Sequence, residues 1–278
     1  MEGSPRQSQC RLAGEVPTGC EDAILGHTGT VDLVERKSES AQRHPWEVAR
    51  AEFFLRLLRE RGILDTTKDW LDVGAGDAWF ATQLRRVLPL AASLTCWDVN
   101  YSPDDLANIA SVTEGVDVVS ERPGARFDAI LMLDVIEHVE DDVQFVTATV
   151  AELLAEGGMV LVSVPAHRLL FSAHDRSLRH HRRYSPADCR RLLERAGLGI
   201  LESGGLFLSL LPVRAVQVLL ERAAGIELFS TGVGSWQAHP AATNFLTRVL
   251  IADGALSLSL RGSLPGLSYW ALCESKRA

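Results

Sequence analysis

The chain has 278 residues, of which 28 are Lys or Arg and 36 Asp or Glu, for a net charge of −8, and 46% are apolar. This is a globular composition, long enough to close one sizeable core. Its acidic balance excludes a protein that coats nucleic acid by bulk charge. Five cysteines (Cys10, Cys20, Cys96, Cys189, Cys273) form no C-x-x-C pair, which argues against a zinc or disulfide framework and for a reducing, cytoplasmic setting.

Residues 1–40, rich in Gly, Ser, Gln, Thr and charge, read as a mobile tail with one short ordered piece at "GTVDLVE". No signal-peptide pattern opens the chain. A single domain is expected over 41–278. It begins with "HPWEVARAEFFLRLLRERG", where Val48, Phe53, Leu55 and Leu58 lie near one helical stripe and Gly62 supplies the stop. Strands and helices then alternate. "DWLDV" (69–73) reads as a strand and "AWFATQLRRVL" (78–88) as a helix. "LTCWDV" (94–99) is a strand, and "SPDDLANIA" (102–110) a helix capped by Ser102 with Pro103 at its first position. "VDVVS" (116–120) and "FDAILMLDV" (127–135) are strands. "DDVQFVTATVAELLAEGG" (141–158) is a helix closed by glycine, "MVLVSVP" (159–165) a strand, and "SPADCRRLLERAGL" (185–198) a capped helix. Strands near 199–207 and 267–276 finish the pattern. Residues 208–262 are apolar and partly helical, an insertion before the final strand. The stretch "SGGLFLSLLPV" (203–213) falls short of the ~20 residues that span a bilayer. The alternation predicts an α/β fold with a parallel sheet covered by helices on both faces.

In such sheets ligands bind at the carboxyl ends of the strands. "WLDVGAGDAWF" places Gly74 and Gly76 there: Gly74 permits a tight turn, and Gly76 lets a ligand approach bare backbone. A dinucleotide motif needs a third glycine where Trp79 stands, and Asp77 puts negative charge where a pyrophosphate needs positive potential. A ligand with a cationic part suits the turn better. Asp98 closes the second strand, where a carboxylate can accept bonds from two ribose hydroxyls.

"LDVGAGDAWF", "CWDVN" and "FDAILMLDVIEHV", in this order and spacing, resemble the class I methyltransferases that depend on S-adenosyl-L-methionine (SAM), with Ala78 in place of the family's third glycine. The resemblance covers about residues 43–206 and 266–276. It implies a Rossmann-like seven-stranded sheet whose last strand is antiparallel. It also implies that Gly74, Ala75 and Gly76 flank the methionine part, that Asp98 holds the ribose, and that Val99 borders the adenine. Asp72, Asn100, Leu133 and Asp134 join the cofactor set. "HPWEVAR" is similar to the opening of one bacterial branch of the family, which implies that His44, Trp46 and Arg50 close over the cofactor.

Asp134, Glu137 and His138 stand at i, i+3 and i+4 and share a face if the chain turns helically. Glu140, Asp141 and Asp142 suit a helix N-terminus. The loop "VPAHRLLFSAHDRSLRHHRRYSP" (164–186) gathers four histidines and five arginines, more than weak surface ion pairs explain. It resembles an active-site loop of the same branch, which makes His174 and Asp175, and less so His181, candidates for acceptor contact. His138 and His174 are the candidate catalytic residues, because histidine can take a proton as the methyl is transferred. The expected acceptor is a small molecule bearing a hydroxyl, such as a secondary metabolite, sugar conjugate or lipid-linked glycan. No metal and no nucleic acid are expected, peripheral membrane contact is compatible, and the chain is a monomer or homodimer. Two alternatives stand beside this. Asp134, Glu137, His138 and a downstream histidine are similar to the metal ligands of RNA 2′-O-methyltransferases; and the chain can be a SAM-binding protein without catalysis.

Overall fold

The computed structural model describes residues 43–224, 238–260 and 264–276. The 1–40 tail and its "GTVDLVE" piece lie outside them.

Helix α1 (Pro45–Glu60) begins where Pro45 presets the first turn. The His44 ring accepts the Trp46 N–H at 3.1 Å, and Glu47 accepts the His44 N–H at 3.0 Å. The helix stops before Gly62, whose φ of +68° suits glycine. One turn, α2 (Ile63–Thr66), leads into β1 (Asp69–Val73). There follow α3 (Trp79–Arg85), β2 (Ser93–Trp97), α4 (Pro103–Val112), β3 (Asp117–Val119) and β4 (Phe127–Leu133). Next come α5 (Asp142–Leu153), β5 (Leu154–Pro165), the short α6 (Ala173–Ser177), α7 (Pro186–Arg195) and β6 (Leu198–Leu206). The chain ends with α8 (Leu210–Ala224), α9 (Pro240–Ser259) and β7 (Ser268–Ser275).

The strands form one sheet in the order β3-β2-β1-β4-β5-β7-β6. β1 to β5 are mutually parallel, and β7 runs antiparallel to both of its neighbours. This is the Rossmann-like sheet that the sequence predicts. Alternate residues of each central strand enter opposite cores. Ala129, Leu131 and Leu133 pack on the side of α1, α3 and α9, while Ile130 and Met132 pack on the side of α5 and α7. Burial on both faces is why these strands read as unbroken apolar runs.

One predicted boundary moves. The helix over 141–158 ends at Leu153, five residues before Gly158. Leu154 already pairs with Phe127, Met159 pairs with Ala129, and residues 155–158 bulge from the ladder with Gly157 at φ +70°. Ladder hydrogen bonds outweigh the helical period there.

The described residues between 208 and 260 include two different helices. α9 belongs to the core: Leu250 and Leu258 are buried, and the Ser257 hydroxyl donates to the Gly205 carbonyl at 2.6 Å. Its Gly254 lies so close to α1 that a Cβ would stand 3.2 Å from a Phe53 ring carbon. α8 instead turns Val213, Val216, Leu219 and Leu220 outward. No helix among the described residues is long and apolar enough to cross a membrane. Gly254→Val is therefore expected to overpack the α1–α9 contact and cost about 1–3 kcal/mol. Urea unfolding checks this: the midpoint should fall at unchanged slope, and an unchanged midpoint would mean that α9 docks loosely.

Candidate active site

β2, β1, β4 and β5 are parallel neighbours, so their carboxyl ends share one edge. The turn after β1 is the tightest element there. Gly74 has φ +64°, and its N–H donates to the Trp97 carbonyl at the end of β2, at 2.7 Å. A Cβ on Gly74 would stand 2.7 Å from a Val135 methyl, so β4's exit leaves room for glycine alone. Gly76, at φ +55°, donates its N–H to Asp98 Oδ2 at 3.2 Å. The third position, Ala78, also takes a left-handed φ of +56°, which costs a non-glycine residue about 1–2 kcal/mol. Its buried methyl packs in the core.

Four carboxylates border this turn. Asp98 is buried and also accepts the Asn100 N–H at 2.9 Å and its side-chain amide at 3.1 Å. Val99 beside it is exposed. Asp72, next to last in β1, has its pKa raised to about 7: burial drives the shift, Arg50 opposes it and Asp98 adds to it. Asp77 accepts the Trp79 N–H at 3.1 Å and pairs with Arg43, whose guanidinium lies 4.9 Å from the Trp79 ring centre. Asp134 follows Leu133 at the end of β4. It pairs with Arg50 and accepts the Ser163 hydroxyl at 3.0 Å. Arg50 lies 4.3 Å from the Trp46 ring centre. The structure thus gathers Trp46, Arg50, Asp72, Gly74, Ala75, Gly76, Asp98, Asn100 and Asp134 on one edge, with His44 at the start of α1 serving as its cap.

The helical face expected for Asp134, Glu137 and His138 does not form. Asp134 adopts φ +60°, and only a single 3₁₀ turn follows, at Ile136–His138. Asp134 therefore turns to Arg50, whereas Glu137 is buried and groups with His138 and His180. The His138 and His180 rings meet edge to face at 4.6 Å. Burial first, then His180, lowers the His138 pKa to about 4. Glu137, His138 and His180 bring candidate ligand atoms within 4.8 Å of one another, a set without the Asp134 that the sequence suggested. His181 is exposed, and its N–H donates to the Glu137 carbonyl at 2.8 Å.

The loop after β5 is organised by one buried carboxylate. Asp175 accepts from Arg183 Nε at 2.7 Å, the Ser172 N–H at 3.0 Å and Arg214 at 3.3 Å, and lies 3.2 Å from His180 Nδ1. Burial alone would raise its pKa; the His180 bond and Arg183 outweigh that and hold it well below the usual carboxylate range. His174, half-buried next to it, is lowered to about 4, by burial first and then by Arg214. Sequence reading missed Arg43, the placement of His180, and Arg214. Arg214 had a signal: it is the lone charge in "LFLSLLPVRAVQVLL", and a charge in an apolar helix implies a buried partner.

Residues 45–203 match the model of a methyltransferase domain family. The chain belongs to this family. The expectation of S-adenosyl-L-methionine as methyl donor stands with it. One relative, named ubiquinone biosynthesis O-methyltransferase, from Pseudoalteromonas translucida (strain TAC 125), is 30% identical over 168 residues, covering 52% of this chain and 68% of that protein. A Mycolicibacterium smegmatis (strain ATCC 700084 / mc(2)155) relative, whose name assigns S-adenosylmethionine-dependent methyl transfer, is 30% identical over 149 residues, covering 50% of this chain and 55% of that protein. The [4+2]-cyclase SpnF shares the fold with a TM-score of 0.52 at 16% identity, over 82% of this chain and 81% of that one. A fold that also carries a cyclase does not by itself select methyl transfer.

Two variants test the electrostatics of this edge. Asp72 binds its proton more tightly folded than unfolded, so its contribution to stability is full below pH 4 and is lost as pH rises through about 7. Asp72→Asn should match wild type near pH 4 and be the more stable by about 2–4 kcal/mol at pH 8, read from urea midpoints across pH. Asp175→Asn should leave Arg183 and Arg214 buried without a counter-charge and cost about 3–5 kcal/mol. If denaturant unfolding gives less than 1 kcal/mol, on the order of an exposed pair, Asp175 does not organise the loop.

Proposed function

We propose that the chain transfers the methyl group of SAM to a hydroxyl oxygen of a small amphipathic acceptor. The observation that carries this reading is the paired Arg50 and Asp134 at the mouth of the glycine turn. Their opposite charges complement the carboxylate and ammonium of the donor's amino-acid end. In this reading Arg50 takes the carboxylate, and Asp134 with Asp72 faces the ammonium. Gly74, Ala75 and Gly76 give the chain of the donor an unobstructed wall. Asp98 exchanges the Gly76 and Asn100 bonds for ribose hydroxyls, while Val99 and Leu133 border the adenine and methionine parts. The donor supplies an electrophilic methyl, and the fold supplies alignment, which is worth much of the rate of a displacement.

A hydroxyl acceptor must lose a proton. His138 lies four residues beyond Asp134, and its depressed pKa keeps the ring neutral at pH 7 and able to receive that proton. His174 is the second candidate, on the loop that contacts α8. The outward apolar residues of α8 supply a surface for the non-polar part of the acceptor.

A metal-assisted reading is favoured by the closeness of Glu137, His138 and His180. Hard divalent cations take mixed oxygen and nitrogen ligands.

Incubation with methyl-labelled SAM and fractionated extract tests the proposal. Label should appear in a small acceptor with release of S-adenosylhomocysteine; binding without release would leave a non-catalytic SAM protein. His138→Gln should lower kcat by about 10²–10⁴-fold at unchanged SAM affinity. Wild-type activity should hold from pH 8 to 6 and fall as pH drops toward 4, where His138 protonates. Activity should survive exhaustive chelation. Loss with chelator and return with Mg²⁺ or Mn²⁺ would replace the acid–base role with the metal one.

A further inference from the structure

In the loop after β5, Arg183 turns inward onto Asp175, as does Arg214 from α8. Arg168 and Arg182 line an open cleft of about 520 Å³, between that loop, the start of α5 and α7, together with Arg191 and Arg195 of α7; Arg183 borders the same cleft while its guanidinium stays on Asp175. Two carboxylates face the cleft. Asp188 is shared between Arg168, at 2.7 Å, and Arg191. Asp142 is shared between Arg182, at 3.0 Å, and the Tyr184 hydroxyl, at 2.7 Å. Arg195 is exposed on the last turn of α7. The Arg168 and Arg191 side chains are 68% and 61% exposed, so their guanidiniums can still turn toward a ligand.

Positive charge is therefore in excess here, in a chain whose net charge is −8. With Arg183 committed to Asp175, the lining sets Arg168, Arg182, Arg191 and Arg195 against two carboxylates, Asp142 and Asp188. Like charges held close repel unless an anion joins them. Planar guanidiniums bind phosphate oxygens two at a time, and a dianion suits a surplus of two better than a carboxylate does. Phe171 and Leu192 add an apolar side to the same cleft.

We propose that this cleft binds a phosphomonoester carried on a small apolar or aryl body. Arg168, Arg191 and Arg195 hold the phosphoryl oxygens, and Phe171 with Leu192 contacts the body. The cleft is distinct from the glycine-turn edge and shares no residue with it. It does adjoin the other side of the catalytic turn: the Tyr184 hydroxyl lies 3.4 Å from the Ile136 carbonyl. Binding itself does not depend on the methyl-transfer reading.

Calorimetric titration of the full chain with phenyl phosphate, inorganic phosphate and benzoate tests this. Saturable one-to-one binding is expected, tightest for phenyl phosphate. The double variant Arg191→Gln/Arg195→Gln should weaken it at least tenfold, whereas Arg190→Gln, on the same helix outside the cleft, should leave it unchanged. Phe171→Ala should remove the preference over inorganic phosphate; if that preference survives, the apolar side of the proposal is wrong. Equal binding by wild type and the double variant, or non-saturable uptake only, would overturn the site. SAM affinity of the double variant should equal that of wild type. A wild-type chain that binds phenyl phosphate but not SAM would refute the methyltransferase reading alone.

Discussion

The site rests on one steric constraint: β1 must turn out of the sheet while lying between β2 and β4. The Gly74 N–H is held by the carbonyl that ends β2, and its Cα faces the Val135 side chain that follows β4. No side chain fits between them. The turn therefore stays bare, its next amides point toward the end of β2, and Asp98 is drawn onto Gly76. A parallel ladder makes this possible, because parallel neighbours finish at one edge and bring their loops together.

That edge collects acids. Asp134 pairs with Arg50, and Asp72, buried close to Arg50 and Asp98, holds its proton to about pH 7, chiefly because of burial, with Asp98 adding to the shift. An edge of this sign is hostile to pyrophosphate and receptive to a cationic ligand. Arg50 is both the counter-charge and, through its ion pair with Asp134, the tie between α1 and the sheet, while its guanidinium lies over the Trp46 ring of the same helix. Charge pairing and packing meet in one side chain, held on a helix whose own start is secured by His44 and Glu47.

The loop beside the turn after β4 is governed by Asp175. A single buried carboxylate joins the start of α6, residues 180–183 of the loop and α8 through Ser172, His180, Arg183 and Arg214. A buried ion cluster of this kind contributes less to net stability than to uniqueness, because desolvation offsets most of the Coulomb attraction. It fixes which arginines face inward. Arg168, Arg182, Arg191 and Arg195 are left on the cleft along α7.

The sequence alone determined the order of strands and helices, the α/β class, the glycine turn and the family, since apolar runs, caps and local motifs are written in adjacent residues. Pro45, Ser102 and Ser185 start the helices where the chain says they should. Tertiary structure decided what depends on distant neighbours. The helix over 141–158 stops early because Leu154 finds Phe127, a partner 27 residues away that no local pattern names. Asp134 parts from Glu137 and His138 because Arg50, 84 residues earlier in the chain, claims it and its backbone is left-handed. His180 joins His138, and Arg214 reaches Asp175, across loops whose path the sequence does not encode locally. The residue types of the site were legible, and their pairing was not, because each charge settles on whichever opposite charge the packed sheet brings within reach.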